Sequence, residues 1–123
     1  MKNHKFPFTI AYADTDAGGI VYHARYIEIA ERARMNWFKE GIPQNSDIGL
    51  VITDLSIKYV RPLRVADDIT VESHIVSPGV ASMKVEHKFV KDGEIHAIMT
   101  VKIAYLGADA RPKRIPAEWL AHF

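Results

Sequence analysis

Two hydrophobic periods divide this chain. Phe6, Phe8, Ile10 and Tyr12 fall on alternate positions, the pattern of a half-buried strand ending near Ala13. From Tyr22 to Glu40 the spacing changes: Tyr26, Ala30, Ala33 and Trp37 lie four, three and four apart, a helical stripe with Ile29 beside it. Ile27, Met35 and Phe38 add apolar surface on other faces, which predicts a more enveloped helix than one lying on a surface. Gly41 and Pro43 supply its stop signal. Four alternating runs follow, over 51–59, 69–75, 82–89 and 95–105. Ser77-Pro78-Gly79 and Asp92-Gly93 stand between neighbouring runs as hairpin turns.

The order strand, long helix, four strands predicts an α+β domain over 1–123, with the helix packed on one face of a five-stranded antiparallel sheet and the last four strands in a meander. Lys58, Glu72, Lys84, Glu86, Lys88 and Lys102 share the opposite phase, so the other sheet face is expected to be wet or to meet a polar partner. There is no repeat, low-complexity tract or Ser/Gly linker to divide the chain.

Composition narrows the chemistry. Lys and Arg number 16 against 15 Asp and Glu, a net charge of +1 that offers nucleic acid no basic excess. Cysteine is absent, which removes disulfides, thiolate metal sites and a cysteine nucleophile. No run approaches the roughly 20 apolar residues of a membrane span. The early residues lack the apolar core of a signal peptide, so a cytoplasmic protein is expected.

The densest cluster of chemistry-bearing residues is Asp14-Thr-Asp-Ala-Gly-Gly-Ile-Val-Tyr-His23, an acidic, glycine-rich loop running into the helix. A helix N-terminus offers free amide donors and partial positive charge, a seat for a carbonyl oxygen that becomes negative. Ile20 to Ala24 contain no Ser, Thr, Asp or Asn to cap it, so the first amides, including that of His23, are expected to be open to a ligand. Beside such donors Asp16 can serve as nucleophile or general base, and His23 can orient water or a substrate group. In the blander reading, both aspartates are turn formers and His23 is a surface residue. A calcium loop begins D-x-D-x-G, but Gly18 has no side-chain oxygen for the third ligand place and Arg25 stands where the terminal Glu should be. The six histidines show no paired spacing for zinc, so no metal or other cofactor is expected.

DTDAGGIVYHARYIEIAERAR (14–34), with KYVRPLRVADDITVE (58–72) and the element order, closely resembles the hotdog-fold acyl-CoA thioesterases. Within them it is similar to the 4-hydroxybenzoyl-CoA thioesterase family, and most to its Tol-Pal-associated branch. The resemblance implies the hotdog fold, acyl-CoA as substrate, and a homodimer or homotetramer with sites between subunits. It places the catalytic carboxylate on Asp16 and the carbonyl-polarising amide on His23. Ala17 and His23 stand where the hydroxybenzoyl branch has proline and an aromatic residue, which favours the Tol-Pal-like branch. Gly19, Tyr22, Glu31, Lys58, Arg61 and Arg64 are the candidate substrate contacts. The basic residues among them, like Arg111, Lys113 and Arg114, suit coenzyme A phosphates. Glu31 can equally pair with Arg34. Tyr12 is expected in the core or a pocket wall, and His87 as a satisfied core histidine. The competing functions are a hydratase or dehydratase acting on acyl thioesters and a non-catalytic acyl-binding module.

Overall fold

Alternating side chains give this chain one apolar sheet face, and the long helix covers it. The computed structural model describes residues 3–43 and 49–123. The elements run β1 (His4–Thr9), α1 (Arg25–Phe38), β2 (Gly49–Tyr59), β3 (Asp68–Pro78), β4 (Ser82–Lys91), β5 (Glu94–Leu106) and α2 (Ala117–Leu120). The five strands form one antiparallel sheet in the order β1-β3-β4-β5-β2. The expected α+β fold, one long helix on a five-stranded antiparallel sheet, is the observed one.

The meander, however, is three strands long rather than four. β3, β4 and β5 follow one another through tight turns, and Asp92 and Gly93 both take positive φ, 50° and 76°, as a two-residue hairpin turn requires. β2 instead lies at the far edge, beside β5. The segment from Val60 to Asp67 carries Pro62 and no tight-turn sequence, and it crosses the start of the helix, where Val21 N–H bonds Leu63 C=O at 2.8 Å. Here a long-range contact replaced a hairpin.

The core lies between the buried stripe of α1 and the inner residues of β3, β4 and β5. Tyr26, Ile29, Ala30, Ala33 and Trp37 are buried as the spacing predicts. They face Val71, Val85, Phe89, Met99 and Val101, with the Tyr26 and Phe89 rings edge to face at 5.1 Å. Met35 is 52% exposed and Ile27 is also exposed, so the helix is covered on one side rather than enveloped. Ile115, Trp119 and Phe123, in and around the short α2, fold back into the core, and Phe123 meets the rings of Trp37 and Phe38.

β1 is shorter than its alternation suggests. After Thr9 the ladder stops and Tyr12–Asp14 form a single 3-10 turn, which turns Tyr12 outward to 83% exposure, neither core nor wall in the single chain.

A polar chain is buried under α1. The Arg34 guanidinium donates to His87 Nε2 at 3.0 Å, which fixes the imidazole proton on Nδ1, 2.6 Å from Ser73 Oγ. His87 is thus the satisfied core histidine the sequence suggests, and Arg34 turns inward rather than pairing on the surface. Burial, and then the Arg34 charge, push the His87 imidazole down to about 3. The unfolded chain takes up that proton below about 6.5, while the folded chain refuses it until about 3. Stability therefore falls as pH drops through this window, by at most about 1.4 kcal/mol per pH unit from this residue. Denaturant unfolding between pH 7.5 and 4.5 should show a steeper loss in the wild type than in His87→Gln, which itself is less stable at pH 7.5.

Candidate active site

The two aspartates of the loop have different fates. Asp14 is only 6% exposed. Its Oδ2 accepts the Ala11 N–H at 2.8 Å, closing the turn after β1, and its Oδ1 accepts from Arg25 Nε at 2.9 Å. Arg25 also donates to Ala13 C=O at 3.0 Å and pairs with Glu28. Asp14, and then Glu28, hold the Arg25 guanidinium above its ordinary value. This carboxylate is fully engaged in joining the loop to the helix.

Asp16 lies exposed at the tip of a miniature hairpin. Thr15 and Val21 form an antiparallel bridge, Asp16 N–H bonds Ile20 C=O at 2.9 Å, and Gly19 N–H bonds Asp16 C=O at 3.0 Å. Gly19 takes a φ of +80°, a conformation a side chain would strain. Asp16 Oδ1 accepts the Gly18 N–H at 2.8 Å. Among the described residues, its other oxygen has no partner.

The helix start lies at the other arm of this hairpin. Tyr22 N–H bonds Asp14 C=O at 2.9 Å, and Tyr22 C=O accepts the Arg25 N–H at 2.8 Å. No side chain caps α1, as the sequence suggests. Among the described residues, the N–H groups of His23 and Ala24 have no intramolecular acceptor. A trans peptide sets C=O and N–H antiparallel, so the engaged Tyr22 carbonyl turns the His23 N–H away from the helix. The His23 carbonyl accepts from Tyr59 Oη at 2.6 Å, a contact that sequence reading missed.

The remaining candidates scatter. Arg64 is brought to the loop, since it forms a bridge with Ile20. Tyr22 lies exposed against the His23 ring, with centroids 4.4 Å apart. Arg61 pairs with Glu94 at 3.2 Å, near the same end of the sheet. Glu31 is exposed on α1, roughly 12 Å along the helix from His23. Its charge partly offsets the burial that pushes the Arg34 guanidinium down. Lys58 pairs with Ile98 and points to the sheet face opposite α1, so within one chain the sheet separates it from Asp16. Arg111, Lys113 and Arg114 lie near Leu106, nine residues along β5 from the Tyr59 partner Ala97, a separation of roughly 30 Å. Among the described residues no three His, Cys, Asp or Glu side chains gather to hold a metal, and no helix is long and apolar enough to cross a membrane.

Residues 10–123 match the model of the thioesterase-like superfamily. The chain belongs to that family. This family member is a thioester hydrolase, and YbgC relatives from Haemophilus and Escherichia match it over more than nine-tenths of both chains. It is 30% identical to the acyl-CoA thioesterase YbgC of Haemophilus influenzae, over 96% of this chain and 92% of that one. A probable thioesterase from Bartonella henselae superposes with a TM-score of 0.84 at 27% identity, covering 94% and 98% of the two chains. A 1,4-dihydroxy-2-naphthoyl-CoA thioesterase from Synechocystis shares the fold at a TM-score of 0.90 with 15% identity, over 98% and 95%.

The different engagement of the two aspartates sets a stability test for this thioesterase-like chain. Asp14→Ala leaves the Ala11 N–H and the Arg25 guanidinium without their acceptor and should cost about 2 kcal/mol. Asp16→Asn, exposed and still able to accept from Gly18, should change stability by less than about 0.5 kcal/mol. Urea denaturation of the two variants beside the wild type measures both.

Proposed function

We propose that this thioester hydrolase cleaves acyl-CoA to the free acid and coenzyme A. The observation that carries the reading is the pair of unengaged N–H groups of His23 and Ala24 at the start of α1, with Asp16 exposed on the facing arm of the same loop. The thioester carbonyl oxygen sits on the His23 N–H, and charge developing there meets the helix N-terminus. In the general-base route Asp16 takes a proton from water as its oxygen bonds the carbonyl carbon. The carbon–sulfur bond then breaks, and the leaving thiolate recovers the proton. In the nucleophilic route an Asp16 oxygen bonds the carbon, the thiolate leaves, and water splits the resulting anhydride. The YbgC relatives support acyl-CoA as substrate, and the DTDAGGIVYH block, by its resemblance, points to the Tol-Pal-associated branch. Arg64, beside the loop, is the best placed of the candidate basic contacts for coenzyme A phosphate.

Release of free thiol from saturated acyl-CoAs tests the reaction class, since hydration needs a double bond and a binding module releases nothing. Asp16→Asn should lower kcat roughly 10²-fold or more while the protein stays folded. His23→Ala keeps the backbone N–H and should lose much less; an equal loss would assign the chemistry to the imidazole.

We further propose that each site is completed by a second copy of the chain. Asp16, Tyr22 and His23 are all exposed in the single chain, which offers them little wall. The two sheet edges also differ. β1 carries Pro7, which has no N–H to donate, and proline on an edge strand discourages further pairing. β2 runs 11 residues without proline and leaves Val51 and Ile52 37% and 43% exposed. Pairing through β2 covers them. Sedimentation at assay concentration should show a dimer or tetramer, and Val51→Lys with Ile52→Lys should yield monomers with little activity. A fully active 13.9 kDa species would overturn the shared site.

A further inference from the structure

One hydroxyl links the open edge strand to the start of the helix. Tyr59 is the last residue of β2 and faces the α1 side of the sheet, since its partner Ala97 is buried there. Its ring meets Tyr26 edge to face at 5.2 Å, and Tyr26 is itself buried in the core with its ring against Phe89. From this platform Tyr59 Oη donates to the His23 carbonyl at 2.6 Å.

That carbonyl lies one residue before the helix cap, Ala24. In a continuing α-helix it would accept the Ile27 N–H, but Ile27 bonds Ala24 C=O instead, at 3.3 Å. The first turn is thus wound as a tight three-residue turn, which leaves the His23 carbonyl to accept from β2. A carbonyl in place fixes its peptide plane, and with it the Ala24 N–H on the opposite side of that plane. On the other side of His23, the Tyr22–Arg25 hydrogen bond fixes the preceding plane. His23 is therefore held at both of its peptide groups, one by its own helix and one by Tyr59.

We infer that Tyr59 is a positioning residue for thioester hydrolysis: its hydroxyl holds the His23 carbonyl so that the Ala24 N–H in the same peptide plane is aimed outward, beside that of His23, at the substrate carbonyl. This rests on the acyl-CoA reading above. Tyr59 touches no reacting atom and works only through the backbone of residue 23. Without the hydroxyl, the His23 carbonyl is free to turn toward the Ile27 N–H and complete an ordinary helical turn, which rotates the donors away. Burial raises the Tyr59 phenol above its usual value, in keeping with a hydroxyl that retains its proton to donate.

Tyr59→Phe removes the hydroxyl and keeps the ring packed on Tyr26. Steady-state kinetics on an acyl-CoA that the wild type hydrolyses should show kcat falling roughly five- to tenfold, the factor for one net hydrogen bond, with KM nearly unchanged. The melting temperature should fall by no more than about 6 °C, the effect of one net hydrogen bond on a domain of this size, and sedimentation should match the wild type. Because His23→Ala keeps the carbonyl that Tyr59 holds, the Tyr59→Phe factor should recur undiminished in a His23→Ala background. An unchanged kcat, a rise confined to KM, or a loss that disappears in the His23→Ala background would overturn the inference, the last by showing that Tyr59 acts through the imidazole. A wild type that releases no thiol from any acyl-CoA overturns the underlying reading, and the positioning role with it. An active wild type with an equally active Tyr59→Phe overturns the positioning role alone.

Discussion

The placement of the loop depends on a buried carboxylate. Asp14 ends the turn after β1 by accepting one backbone N–H, and it holds the first residue of α1 by accepting from Arg25. Charge-assisted bonds of this kind are short and strong when largely withdrawn from water, and one carboxylate satisfies two separate pieces of chain. With strand and helix fixed to one side chain, the residues between them, 15–24, must close as a narrow hairpin. That hairpin puts Asp16 outside, the His23 and Ala24 N–H groups at the helix end, and Arg64 alongside. Asp16 is exposed, with one side-chain hydrogen bond, and the buried neighbour two residues away holds its loop in place.

The sequence was legible wherever structure is local. Alternation and helical spacing located all five strands and the long helix, because each pattern reports which side of its own element is buried. The place of β2 was not legible, since its pairing with β5 joins residues 38 to 57 positions apart and its link to β3 runs through Val60–Asp67 rather than a hairpin. The C-terminal Ile115, Trp119 and Phe123 lie in and around an element too short to show a period. Arg34 is a different case. Its spacing from Ala30 and Trp37 already put it on the buried stripe, and only its charge argued for the surface; the His87–Ser73 chain that receives it comes from β3 and β4.

The loop motif was legible as a motif, and the absence of a cap on α1 could be read from Ile20 to Ala24 alone. What the motif did not show was the division of labour inside it. Asp14 and Asp16 are identical side chains two residues apart, and only the folded positions of Ala11 and Arg25 determine which is buried. Tyr59 was equally hidden, because its partner is a backbone carbonyl 36 positions earlier and no side-chain pattern records such a bond.

Pro7 has a consequence for how far such sheets can grow. A strand ladder extends wherever two compatible edges meet, and a subunit with two open edges can join neighbours on both sides without limit, as fibrils do. This chain presents one blunted flank and one open one. Once β2 meets the β2 of a like chain in a two-fold arrangement, both outer flanks of the joined sheet are β1, and each carries a proline where another strand would have to dock. Edge-wise association through the proposed β2 seam would then be self-limiting at two, and any larger particle would be built face to face.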